Sequence, residues 1–233
     1  TDSAFRDCPS GSGADTIIFA ATLAKPALFT LTKTGADENA AQCGDLDIAS
    51  TLTISGTNSA TIVVDGNATD RVFQVRPGAN LTLTGVTIQH GNPGAMADGG
   101  GVLVDLTGRL TLTDTQVISN SALIGGGLKV LGRLTMRGGA ISGNHGSGLV
   151  NDGGLVALSH VQITRNDSYG IRNQAQGALS FTTGLVDANQ GIGIANATAR
   201  ATLDDLTVTN NTGGGLANSG ATLAHLTVSH SVI

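Results

Sequence analysis

Histidine and aspartate recur at one position of a repeating pattern, and these are the residue types from which general acid/base chemistry is built. The position three residues before a recurring aliphatic reads Gly85, Asp114, Gly138, His160, Thr183, Asp205 and His225. On this alignment Asp205 and His225 occupy neighbouring repeats and come within reach of one another. His160 lies two repeats from Asp205, roughly 9 to 10 Å at the spacing of stacked strands. A neighbouring Asp–His pair is common on polar corners, so the expectation is a solvated pair, with Asp204–Asp205 alone at a strand corner. The densest charged cluster is Arg109, Lys129, Arg133 and Arg137. Arg109 and Arg133 fall in one column on successive repeats, about 5 Å apart, which is unfavourable unless an anion bridges them. Long side chains lying over a solvated face account for the cluster in the first instance. The sharper expectation is a weak site for an anionic glycan or a partner's carboxylates. The scattered aspartates lack the convergent oxygen ligands a metal needs. No catalytic residue, metal site or cofactor is expected.

The elements that would position these residues follow from three series in one register. Glycines stand at 127, 148, 170, 193 and 215; asparagines at 120, 144, 166, 189 and 211; a second asparagine file at Asn151, Asn173, Asn196 and Asn218. A period near 22 residues is the signature of a solenoid with one repeat per coil. Within a coil the apolar residues sit two apart: Leu110 and Leu112, Leu134 and Met136, Val156 and Leu158, Leu179 and Phe181. A third segment gives Val86 and Ile88, Val161 and Ile163, Leu206 and Val208, and Leu226 and Val228. Period two marks strands with one buried face, about three short ones per coil. The chain is expected to be all-β, with eight coils spanning 46–67, 71–92, 101–120, 127–144, 148–166, 170–189, 193–211 and 215–231. The rod they form is on the order of 40 Å long. Gly, Asn, Asp and Ser between the strands tolerate the left-handed conformations that corners need.

One inward column changes from Val75, Val104 and Val130 to Asn151, Asn173, Asn196 and Asn218. Stacked amides can hydrogen-bond along such a column, so this file reads as a structural ladder. An outward column reads Thr53, Thr82, Thr111, Thr135, Ala157, Ser180, Thr202 and Thr222. Regular threonine arrays can bind ice, but Arg137, Ser159 and Asp204 interrupt the file beside it, and threonine is a good strand residue anyway.

Residues 1–45 read as an irregular N-terminal segment and cap, and 46–233 as the solenoid. Cys8 and Cys43 flank the irregular part, and a bridge between them would close a loop worth about 4 kcal/mol in the chain-entropy model. The chain has three Lys, one Glu (Glu38) and abundant Thr, Gly and Asn. With the cysteine pair, this favours an exported, extracellular or cell-surface home. The net charge of −5 argues against nucleic acid. No stretch of apolar residues is long enough to cross a membrane as a helix. One Tyr, Tyr169, and no Trp weaken a sugar-stacking groove.

Gly99 to Val102, Gly125 to Leu128 and Gly213 to Leu216 pair glycine runs with an aliphatic, and apolar-x-x-Asn recurs at Val117–Asn120, Ile141–Asn144, Ile163–Asn166, Val186–Asn189 and Val208–Asn211. This pattern resembles the repeat of polymorphic outer-membrane-protein type surface proteins, which implies the pectin-lyase-like right-handed parallel β-helix. Ala14–Phe19, Gly44–Ile48, Leu52–Ile54 and Asp70–Phe73 resemble the start of CSLREA-domain exported proteins, although the Cys-Ser-Leu-Arg-Glu-Ala motif itself is absent. Gly143-Asn144-His145-Gly146 is superficially similar to the Gly-His-Gly of polygalacturonases, but the glycine and asparagine series already account for it. The fold hosts adhesins and enzymes alike. The expectation is a non-enzymatic structural or adhesive surface protein, with a polysaccharide-binding or polysaccharide-cleaving domain as the alternative. Its partners would be a glycan or surface protein, met through the 92–99 loop or the arginine face, or further copies of itself. The last residues, Ser229 to Ile233, stop in mid-repeat with no cap pattern. That fits either a piece of a longer chain or an end that stacks on another copy to form a filament.

Overall fold

The computed structural model describes residues 13–20, 22–35, 43–94, 96–220 and 224–233. Among the described residues there is no helix, and 22 strands follow one another along the chain. Every pairing between them is parallel. They form a 14-stranded and an 8-stranded sheet whose neighbours are one coil apart in sequence, the topology of a parallel β-solenoid. One coil runs through Asn80–Thr84, Thr87–Gln89 and Val102–Val104. In the first of these strands Leu81 and Leu83 are buried while Thr82 and Thr84 are partly exposed, as period two requires. Leu81 stands opposite Leu110 and Leu83 opposite Leu112 on the next coil. Each aliphatic column is thereby continuous, and each buried Leu, Ile or Val contributes about 1.5 to 3 kcal/mol.

The corner between the first two strands of a coil is made by a left-handed residue, Gly85, Asp114, His160, Thr183 or Asp205, or by the left-handed pair Gly138 and Gly139, with φ between 46° and 81°. From Leu155 onward this residue interrupts the ladder so little that the two strands run together as Leu155–Thr164, Ala178–Asp187 and Arg200–Thr209. The column singled out for acid/base chemistry is therefore a structural corner.

Two asparagine ladders run through the interior. In the first, Asn151 Nδ2 donates to Asn173 Oδ1 at 2.7 Å, Asn173 to Asn196 at 2.8 Å, and Asn196 to Asn218 at 2.7 Å. Asn151 follows Val130 in the column, and valine has no donor to give. The buried Asn151 Oδ1 accordingly has no hydrogen-bond partner among the described residues. In the second ladder, Asn120, Asn144, Asn166 and Asn189 each donate Nδ2 to the next residue's Oδ1, at 2.8 to 3.2 Å. Each Oδ1 from Asn144 to Asn211 also accepts the backbone N–H of the preceding asparagine.

Two expectations about the ends change. Asp15–Ile18 pairs with Thr51–Ser55, and Ala27–Thr30 with Ile62–Asp65, so the ladders reach back past residue 46 into the segment read as irregular. At the other end Leu226 lies opposite Ala201 and Val228 opposite Leu203, one strand earlier in the coil than their spacing suggested. The place beside Leu206 and Val208 goes to Val232, which donates to Leu206 O and accepts from Val208 N–H, both at 2.8 Å. In the outward threonine file, Thr227 stands opposite Thr202, and Thr222 lies outside the described residues. Of the expected bridge, Cys43 is half-buried and Cys8 lies outside the described residues.

Close to Cys43, Asp45 is buried and pairs with Arg71 Nη1 at 3.0 Å. Burial, reinforced by Asp47 and Asp70, outweighs the Arg71 guanidinium, and the carboxyl is pushed up to about 7. A folded-state value above the unfolded one means that this group favours folding at low pH. That contribution fades as pH rises from about 4 through about 7. Relative to Asp45→Asn, the wild type should lose stability across that window, and melting curves of both proteins from acid to neutral pH check this. A constant difference would show that Asp45 carries no such linkage.

Candidate functional site

The strands Arg109–Thr113 and Arg133–Arg137 lie side by side with Arg109 directly opposite Arg133. Alternation places Leu110, Leu112, Leu134 and Met136 in the core and Arg109, Arg133 and Arg137 in solvent. The register continues Arg133 to Leu155, Ala178, Arg200 and His225. Arginine therefore recurs along one outward file parallel to the rod axis. Among the described residues no carboxylate lies within 4.0 Å of Arg109, Arg133 or Arg137.

Lys129 does not share this face. It belongs to Leu128–Val130 in the other sheet, its side chain is largely buried, and its ammonium pairs with Asp98 at 2.5 Å and Asp152 at 3.5 Å. Its even-odd position relative to Arg133 is uninformative because a turn separates the two strands. The two carboxylates neutralise it.

The proposed Asp205–His225 contact is not formed. His225 stacks on Arg200, and Asp205 accepts instead from Thr183 Oγ1 at 3.0 Å. Next to it Asp204 Oδ1 accepts from Ser229 Oγ at 2.8 Å and meets His230 Nδ1 at 2.7 Å. The hydrogen bond with His230 holds the exposed Asp204 carboxyl below its usual range, and Asp204 in turn raises His230. His160 occupies its own corner, bent at φ 57°.

A file that no periodic signal announced follows the inward asparagines. The backbone N–H groups of Asn92, Ser121, His145, Asp167, Gln190 and Thr212 each reach back to a carbonyl of the preceding coil, those of Asp70, Gly91, Asn120, Asn144, Asn166 and Asn189. These six residues therefore stand one above another on successive coils. His145 Nδ1 meets Asp167 Oδ2 at 2.5 Å, and Gln190 Nε2 donates to Asp167 Oδ1 at 3.3 Å. A second pair lies nearby, where the left-handed residue His90 (φ 53°) places Nδ1 2.9 Å from Asp65 Oδ2. Burial alone would raise the Asp65 carboxyl, but hydrogen bonds from Gln89, the Asn67 backbone and His90 outweigh it and hold it below the usual range. A groove of about 580 Å³ opens between the two pairs, and His90, Ser119, Ser121 and His145 line it together with Leu28 and Asn92. The residue types of the file differ from coil to coil, so only the in-step asparagines beside it could have located it.

No cluster of three or more His, Cys, Asp or Glu suited to a metal ion occurs among the described residues. In comparison with known families, the right-handed β-helix region matches residues 71–233. No curated protein and no solved structure matches the chain.

Proposed function

We propose that this chain, which belongs to the right-handed β-helix family, is an exported, non-enzymatic structural and adhesive element of a surface. It holds a partner's anionic groups on the face of Arg109, Arg133 and Arg137. The observation that supports this reading is the opposed pair Arg109 and Arg133. The two side chains leave strands about 5 Å apart, a separation at which like charges repel by about 1 kcal/mol even in a water-like dielectric, and no carboxylate among the described residues pairs with either. A carboxylate or sulfate laid across both guanidinium groups relieves that repulsion and meets two forks suited to oxyanions. The backbone beneath is an in-register sheet, so both side chains start from positions set by the coil spacing rather than by loops. Low Lys and Glu content with abundant Thr, Asn and Gly supports an extracytoplasmic home.

The test is retention of the protein on polygalacturonate and on heparin, with neutral dextran as the comparison. Retention by the two polyanions should weaken as salt rises. The double variant Arg109→Glu, Arg133→Glu should lower affinity at least about tenfold, equivalent to 1.4 kcal/mol. An unchanged affinity would remove this face from the reading.

A further inference from the structure

We infer that the groove between the Asp65–His90 and His145–Asp167 pairs is a second binding site, built for a neutral polyhydroxylated ligand, an oligosaccharide of uncharged sugars. It lies apart from the arginine face and does not depend on it.

The argument begins with the two rings. In each, Nδ1 is held by a carboxylate on an adjoining coil, at 2.9 Å for His90 and 2.5 Å for His145. A carboxylate can only accept, so each ring turns its Nδ1–H to the carboxylate and keeps Nε2 for another partner. Both rings line the groove, and the two carboxylates do their work from the coils outside the pair: Asp65 precedes His90 and Asp167 follows His145. Asp65 is itself held in place, with Oδ1 accepting the Asn67 N–H at 2.8 Å and Oδ2 accepting from Gln89 at 2.8 Å. The groove thus offers two anchored ring nitrogens two coils apart, about 10 Å at the strand spacing. Ser119 and Ser121 lie on the coil between them.

Serine hydroxyls donate and accept, and so does the Asn92 carboxamide. Leu28, 58 % exposed, supplies one apolar wall. A surface of this kind matches a ligand whose hydroxyl groups both donate and accept along an extended chain. It does not suit an oxyanion, because the charged groups set against the two rings are the carboxylates of Asp65 and Asp167.

The experiment is calorimetric titration of the full chain with mannohexaose, xylohexaose and laminarihexaose, and with trigalacturonate as the anionic counter-probe. At least one neutral hexasaccharide should bind with Kd on the order of 1 mM or tighter, and more tightly than trigalacturonate. His145→Ala and His90→Asn, the latter chosen because asparagine tolerates the left-handed backbone, should each weaken it about tenfold or more. Both histidines are exposed, and a melting curve for each variant separates lost binding from lost fold. The arginine double variant should leave this binding unchanged, so the two sites fail or stand separately. The inference is overturned if none of the neutral probes binds, if binding survives both histidine changes, or if trigalacturonate binds more tightly than every neutral probe.

Discussion

Asn166→Ala is expected to destabilise the protein by about 4 kcal/mol, read from denaturant unfolding. The side chain joins three coils. Its Oδ1 accepts from the Asn144 backbone N–H at 3.1 Å and from Asn144 Nδ2 at 2.9 Å. Its Nδ2 donates to Ile141 O at 3.2 Å and to Asn189 Oδ1 at 2.9 Å. Asn166 and both neighbouring asparagines are fully buried, so water cannot take over these roles. Alanine takes a hydrogen bond from two donors and two acceptors; Asn144 Nδ2 keeps Val117 O and Asn189 Oδ1 keeps the Asn166 N–H, while the Asn144 N–H and Ile141 O lose theirs, at about 1 to 3 kcal/mol for each buried group left unpaired. The sum is not additive, because the small void lets the chain relax. Thr135→Ala, on the exposed side of the Arg133–Arg137 strand, should by contrast stay within about 0.5 kcal/mol. A loss below about 1 kcal/mol for Asn166→Ala would mean that the ladder is incidental to stability.

The same ladder shows which parts of the molecule can be read from the sequence. Residues repeated in kind, such as Asn144, Asn166 and Asn189, advertise their column because each is needed for the same bond on each coil. The Val130 to Asn151 change in the other file is legible for the same reason, and its register is as the spacing indicates. Where a column tolerates different residues, periodicity is silent. Ser121, His145, Asp167 and Gln190 share a file through backbone hydrogen bonds, while their side chains are chosen coil by coil, so the groove they border is invisible to repeat counting. His225 shows a different failure. Leu226 and Val228 have the two-residue spacing of either of two strands, and the sequence pattern does not say which. Only the pairing of Leu226 with Ala201 resolves it, and with it the Asp205–His225 contact disappears. Lys129 and Arg133 look like one cluster in sequence, yet Gly132 lies between their strands and sends the two side chains to different sheets.

Gly170→Ala is expected to cost about 3 kcal/mol, for a reason of space rather than backbone freedom. The glycine series at 127, 148, 170 and 193 does not adopt the left-handed conformation found at Gly143 or Gly153. A Cβ on Gly170 would instead come within 2.6 Å of Gly193 O and 2.9 Å of Asn189 Nδ2. Neither atom is free to yield. Gly193 O accepts the Ile171 N–H at 2.8 Å, and Asn189 Nδ2 is committed to Ile163 O and Asn211 Oδ1 at 3.1 and 2.8 Å. The alanine must therefore lengthen the coil-to-coil bonds on both sides or displace a ladder amide, and stacked repeats depend on those nearest-neighbour contacts for most of their stability. Gly143→Ala separates the two explanations. Gly143 is left-handed at φ 60° with nothing within 4 Å of a Cβ, so its cost should be the conformational one alone, about 1 kcal/mol. Unfolding free energies for the two variants decide the matter: a larger loss at Gly170 means the glycine file exists to let coils approach. Equal losses, or a larger one at Gly143, would mean that the turns are limited by backbone conformation instead.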